Sequence, residues 1–163
     1  MNNSELKKYN QIPYRIETIQ NMVEDKILDS MIDFKNDQYS DLSNMSSEDI
    51  RNMMPKKYID FSKAIKDLGG KLLYIKSGST GHTFKGVYPE SVTNKPNYAV
   101  KIVAYPKKEN YGDMFNMRRP ENAELVMIKL LSEFIRTKQS PHIILPITTF
   151  NTSIKPFISL PKD

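Results

Sequence analysis

The stretch that decides the fold reads Ile75-Lys76-Ser77-Gly78-Ser79-Thr80-Gly81-His82-Thr83-Phe84-Lys85-Gly86-Val87-Tyr88 and, after a polar break, Tyr98-Ala99-Val100-Lys101-Ile102-Val103. A β-prone run, Leu72-Leu73-Tyr74-Ile75, leads into a loop of small residues. A second β-prone run leaves the loop, and a third carries one lysine among apolar neighbours. Gly78 and Gly81 have no Cβ, so the backbone can approach a ligand closely there. Backbone N–H groups in such a loop can face phosphate oxygens, and Ser79 and Thr80 add short hydroxyl donors. On a strand, Val100 and Ile102 alternate away from Lys101, so its ammonium projects to one face and needs an anion there. Taken alone, a glycine-rich turn of this kind is more often an ordinary hairpin.

Loop and lysine strand together resemble the nucleotide-binding lobe of eukaryotic-type protein kinases, with its G-x-G-x-x-G-x-V loop and V-A-I-K strand. Gly78 and Gly81 match the second and third glycines, and Tyr98-Ala99-Val100-Lys101 matches the lysine strand. Lys76 stands where the first glycine is usual, and Thr83 where the valine is usual. The resemblance implies an ATP site made from Ile75, Lys76, Ser77, Gly78, Ser79, Thr80, Gly81, Thr83, Ala99 and Lys101. Within it, Ile75 and Ala99 would touch adenine, the backbone of 77–81 would cover the phosphates, and Lys101 would reach them.

The 163 residues suit one ordinary domain, or a small domain with an extension. No run reaches the ~18 apolar residues of a membrane span, and no signal-peptide pattern opens the chain. The absence of cysteine excludes disulfides and thiolate metal sites and fits a reducing compartment. The only histidines, His82 and His142, lie far apart in sequence, which disfavours a metal cluster. The net charge of +5 hides an asymmetry: residues 1–68 carry 10 basic and 12 acidic groups, and residues 69–163 carry 14 and 7. All six glycines also lie after residue 68. Both shifts put a boundary at 68/69, giving a helical extension (1–68) and a lobe (69–163). The basic lobe would attract nucleotide phosphates or nucleic acid, or would simply carry solvated lysines.

In the first part, residues 1–11 are polar and 36–44 form a polar connector. Ile16, Ile19, Val23, Ile27, Leu28, Met31 and Ile32 recur near helical spacing and predict a helix over 14–34. Ser46 and Asp49 suggest a capping box for a short helix at 47–53, before Pro55. Tyr58, Phe61, Ala64, Ile65 and Leu68 predict another helix, stopped by Gly69-Gly70. This part reads as a cover for one side of the lobe, or else as a regulatory, partner-binding extension.

Pro120 fits the first turn of a further helix, and Glu121 there complements the helix dipole. Helical steps from Glu124 reach Met127, Ile128, Leu131, Phe134 and Ile135, which puts a carboxylate on the apolar face. Such a carboxylate is costly unless paired, and the partner expected for it is Lys101, as in the kinase ion pair. Glu124-Leu125-Val126-Met127-Ile128-Lys129-Leu130-Leu131 resembles the family's glutamate helix, and Ser140-Pro141-His142-Ile143-Ile144-Leu145-Pro146 the element after it. Ile147 to Phe150 and Phe157-Ile158-Ser159-Leu160 resemble the last two strands before the hinge. The expected fold is therefore α+β: a kinase-like small lobe with a five-stranded antiparallel sheet, one glutamate-bearing helix and a helical N-terminal extension.

The family's catalytic loop H-R-D-L-x-x-x-N and its metal-binding D-F-G do not occur. The resemblance thus implies a lobe truncated near the hinge, with no catalytic residue and no metal ligand of its own. It would bind ATP, use Mg2+ only with a C-lobe, and transfer phosphate only if that lobe came from a longer or second chain. The alternative is a non-catalytic, pseudokinase-like module that binds another protein. A third reading, nucleic-acid binding, is weak because aromatic residues do not interleave with the basic ones. No membrane partner is expected, and the expected location is cytoplasmic, in the host if viral. The Asn-, Lys- and Ile-rich composition resembles kinases of giant DNA viruses.

Overall fold

The computed structural model describes residues 11–32, 48, 57–79, 81–92, 95–104, 108–113, 115–116, 118–153 and 155. Outside them lie residues 1–10, the 36–44 connector, Pro55, Thr80, the strand expected at Phe157-Ile158-Ser159-Leu160, and the 46–53 capping box and helix apart from Glu48. Among the described residues the chain is α+β, with helices and one antiparallel sheet of three strands, Lys71–Gly78, Gly81–Val87 and Tyr98–Ile102, paired in chain order. It forms two units: Met1–Lys56 with Asn122–Thr149, and Lys57–Glu121 with Phe150–Asp163. This grouping cuts the chain differently from the 68/69 boundary read from charge and glycine content.

The first unit opens with α1 (Ile12–Val23), shorter than the helix expected over 14–34. The chain turns at Asp25, whose φ of 56° lies in the left-handed region that Asp tolerates better than branched residues do. The Lys26 N–H then donates to the Val23 carbonyl at 3.1 Å. Leu28, Met31 and Ile32 are nevertheless buried, so the apolar spacing reported burial without reporting a helix. The Arg15 guanidinium donates to the carbonyls of Pro141 and Ile143, the latter at 2.6 Å, and the Met31 N–H donates to the Ile147 carbonyl at 3.1 Å. These bonds tie α1 and its following turn to the segment that comes after the glutamate helix. Burial holds the Arg15 pKa below its ordinary value.

The second unit contains α2 (Phe61–Leu68), β1 (Lys71–Gly78), β2 (Gly81–Val87) and β3 (Tyr98–Ile102), followed by the short α3 (Lys108–Tyr111). Asp60 caps α2, its side chain accepting from the Lys63 N–H at 3.1 Å. The helix therefore starts after the expected Tyr58, which is 68% exposed and bridges to Asn151. Phe61, Ala64 and Leu68 form its buried side. Gly69 and Gly70 stop it with φ of 82° and 86°, which glycine accepts without steric cost.

One sheet face carries Leu72, Phe84 and Tyr98, all buried. The Tyr88 and Tyr98 hydroxyls donate to the Leu68 and Gly69 carbonyls at 2.7 and 2.9 Å, fastening the end of α2 to the sheet. Burial raises both phenol pKa values, and Tyr98, with Tyr88 beside it, is pushed up to about 12.

The described residues show three of the five expected strands, and 157–160 lies outside them. Residues 147–150 belong to no strand, and the next residue, Asn151, makes only an isolated bridge to Tyr58. The Asn151 N–H donates to the Lys57 carbonyl and its carbonyl accepts from Ile59, each at 2.9 Å. That exchange fastens the stretch before α2 without adding a strand to the ladder.

Candidate functional site

Strand register decides which of the expected residues share a face. Across the sheet, Lys76 pairs with Thr83, and Thr83 pairs with Lys101. In the next row on that face, Leu73 pairs with Lys85 and Lys85 with Ala99. Directly paired residues project to the same side of a pleated sheet, so Lys76, Thr83, Lys85, Ala99 and Lys101 lie together. Thr83 is half-buried and the other four are exposed. This is the face opposite Leu72, Phe84 and Tyr98. A strand with Lys101 outward and Val100 and Ile102 on the other side needs only ordinary alternation.

Lys76 reaches this face because β1 is irregular. Its register shifts between Tyr74 and Lys76, where Ile75 is the extra residue. Tyr74 pairs with Phe84 and Ser77 with His82, so Tyr74 and Ser77 share the opposite face although three positions apart. A chain of side chains forms there: Tyr74 Oη to Ser77 Oγ at 2.5 Å, and Ser77 Oγ to His82 Nδ1 at 2.9 Å. The Tyr74 ring also meets Phe84 edge-on, with centroids 5.6 Å apart. Nothing in residue spacing announced this network, because a regular strand would have put Tyr74 and Ser77 on opposite faces.

Ile75 sits at the irregularity and is 47% exposed. The Ser77 side chain turns away from the lysine face, leaving its backbone to serve the role expected of it. Gly78 and Gly81 close the hairpin opposite each other, with Ser79 exposed in the turn. The two glycines differ physically. A Cβ on Gly78 would find its nearest neighbour at 3.9 Å, whereas one on Gly81 would meet the Ile102 carbonyl oxygen at 2.2 Å. The packing of β2 against β3 therefore already requires glycine at 81, apart from any ligand.

Glu124 lies half-buried on α4 (Pro120–Arg136), a helix that starts at the expected proline. Glu124 belongs to the first unit and Lys101 to the second. The apolar line counted from Glu124 is only partly buried: Ile135 is fully covered, but Met127, Leu131 and Phe134 are 54, 38 and 45% exposed. Asn122, Ser132 and Ile135 mark the buried line, so the helix is rotated relative to the face expected from its largest side chains. Glu121 is also more than a dipole partner. It is buried and accepts from Arg119 Nη1 at 3.2 Å, while Arg119 donates to the Gly112 and Asp113 carbonyls at 2.8 Å. This buried cation fastens the loop before α4.

Among the described residues, no group of three or more His, Asp or Glu side chains is placed to hold a metal ion. No helix among them is long and apolar enough to cross a membrane.

Comparison with known proteins places this geometry in context. The chain is 41% identical over 149 residues to a protein of Acanthamoeba polyphaga mimivirus named "Putative serine/threonine-protein kinase". The match takes in 91% of this chain and 30% of that protein's length. The chain thus resembles a giant-virus kinase over nearly all of its residues, while spanning under a third of the relative. No protein-family profile matches the chain, and no solved structure matches it.

Proposed function

We propose that this chain is the ATP-binding small lobe of a serine/threonine-type protein kinase. The observation that carries the reading is the exposed sheet face on which Lys101 stands across from Thr83, beside Ala99, next to the glycine hairpin. The similarity to the mimivirus protein supports it independently. Ile75 and Ala99 would contact adenine. Backbone groups of Ser77, Gly78, Ser79, Thr80 and Gly81 would cover the phosphates, and Lys101 would neutralise them. Residues 1–68 would act as a helical extension of the lobe, in the cytoplasm of a host cell.

A kinase requires Mg2+ to bridge the nucleotide's phosphates. The described residues do not fit that ion, so metal binding and phosphoryl transfer are assigned to a C-lobe carried by a longer or second chain. A face that covers one side of a ligand encloses little of it. Binding by this chain is therefore expected in the millimolar range, about −4 kcal/mol.

The test is an NMR titration of the whole chain with ATP and ADP. Saturable shifts at Ile75, Lys76, Thr83 and Ala99 that disappear in Lys101→Ala are expected. Shifts spread over Lys108 and Arg118 and unaffected by that change would reject the reading. A non-catalytic interaction module would give no nucleotide shifts at all.

A further inference from the structure

We infer that Lys76 is a second phosphate-neutralising group of this face, and that it sets a preference for nucleotides with longer, more highly charged phosphate chains. The inference rests on the nucleotide reading above and adds to it the register of the sheet. Lys76, Thr83 and Lys101 form one row across three strands. Their backbones are about 10 Å apart end to end, two strand spacings. Thr83, the residue between them in the row, is half-buried and carries only a short side chain.

The direction of Lys76 is specified twice. The irregularity at Ile75 shifts the register so that Lys76 faces Thr83. The next residue, Ser77, is then held on the opposite face by Tyr74 and His82. Both devices place the ammonium on the side of Lys101.

Two ammoniums on one row repel each other, and a single compact anion satisfies one of them. A chain of phosphates can lie along the row and meet both. Lysine suits this task because its compact charge rides on a flexible four-carbon stem. The gain must grow with phosphate number, and must be absent for a nucleoside. Both lysines are exposed, so salt will weaken the effect over a Debye length of roughly 8 Å at physiological strength.

The experiment compares ATP, AMP and adenosine, titrated by NMR at low salt into the whole chain and into Lys76→Ala, Lys76→Gln and Lys85→Ala. Lys85 is the control, a lysine of the same face one row away. The expected result is that both Lys76 variants lower the ATP-to-AMP affinity ratio on the order of fivefold, as for one exposed ionic contact. Lys85→Ala should leave the ratio within about twofold, and adenosine should bind all four proteins alike. Saturable ATP binding with an unchanged ratio in both Lys76 variants would overturn this inference and leave the nucleotide reading intact. An equal fall in Lys85→Ala would also overturn it, because the charge of the face would then act without a specific row. No saturable ATP shifts on this face in the unaltered chain would overturn both.

Discussion

Gly81 shows how one residue type can carry two readings. In the sequence it resembles a phosphate-loop glycine, but in the sheet its missing Cβ makes room for the Ile102 carbonyl. Gly81→Ala should destabilise the fold by about 1–3 kcal/mol, the usual cost of overpacking. Gly78→Ala has open space and should cost no more than about 0.5 kcal/mol, a typical surface value. Urea unfolding of the two variants decides between them, and equal losses would reject the packing account. Tyr98 offers a second test at this scale. Its phenol is raised to about 12 in the fold against 10.0 for an ordinary tyrosine, because burial and Tyr88 disfavour the phenolate. The folded state thus keeps this proton longer than the unfolded chain does. The stability it contributes is complete below pH about 10 and is lost as pH rises towards about 12. The urea midpoint should fall across that window, and fall less steeply in Tyr98→Phe.

At the scale of elements, α1 is held by hydrogen bonds that amphipathic spacing could not reveal. Arg15 satisfies carbonyls of a segment more than a hundred residues away in sequence. Arg15→Ala leaves those half-buried carbonyls without their charged donor and should cost about 2 kcal/mol. Hydrogen exchange should localise the loss: amides of 12–23 and 141–149 should lose protection, while those of β1 to β3 keep theirs. Loss spread evenly through the sheet would contradict the division into two units. Some element starts and stops were legible from a local device, although the Asp60 cap that starts α2 was not read as one. Pro120 opens α4, and Gly69-Gly70 end α2. Asp25 gave no such signal, and α1 ended eleven residues before the periodic pattern did.

For the whole molecule, the chain as it stands should transfer no phosphate. No candidate for a base in H-R-D or a metal ligand in D-F-G occurs in its 163 residues. Purified chain with radiolabelled ATP, Mg2+ and a generic peptide acceptor should show no turnover above buffer. Turnover that vanishes in Lys101→Met would mean that this chain contains a catalytic carboxylate of its own. The relative is more than three times as long as the matched share.

By itself, the sequence determined the local parts. The β-prone runs, the Lys101 strand, the proline-started helix and the glycine-stopped helix all follow from neighbours within a few residues, where steric rules act directly. The glycine-and-lysine constellation also carries the likeness to kinases. Only the tertiary structure decided which side chains meet. A single extra residue at Ile75 moved Lys76 into the row of Thr83 and Lys101 and placed Ser77 beside His82. It also decided that Arg119 lies buried against Glu121, and that Met127, Leu131 and Phe134 remain exposed. Register and helix rotation depend on pairing between segments distant in the chain. Side-chain period constrains them only once the partner is known.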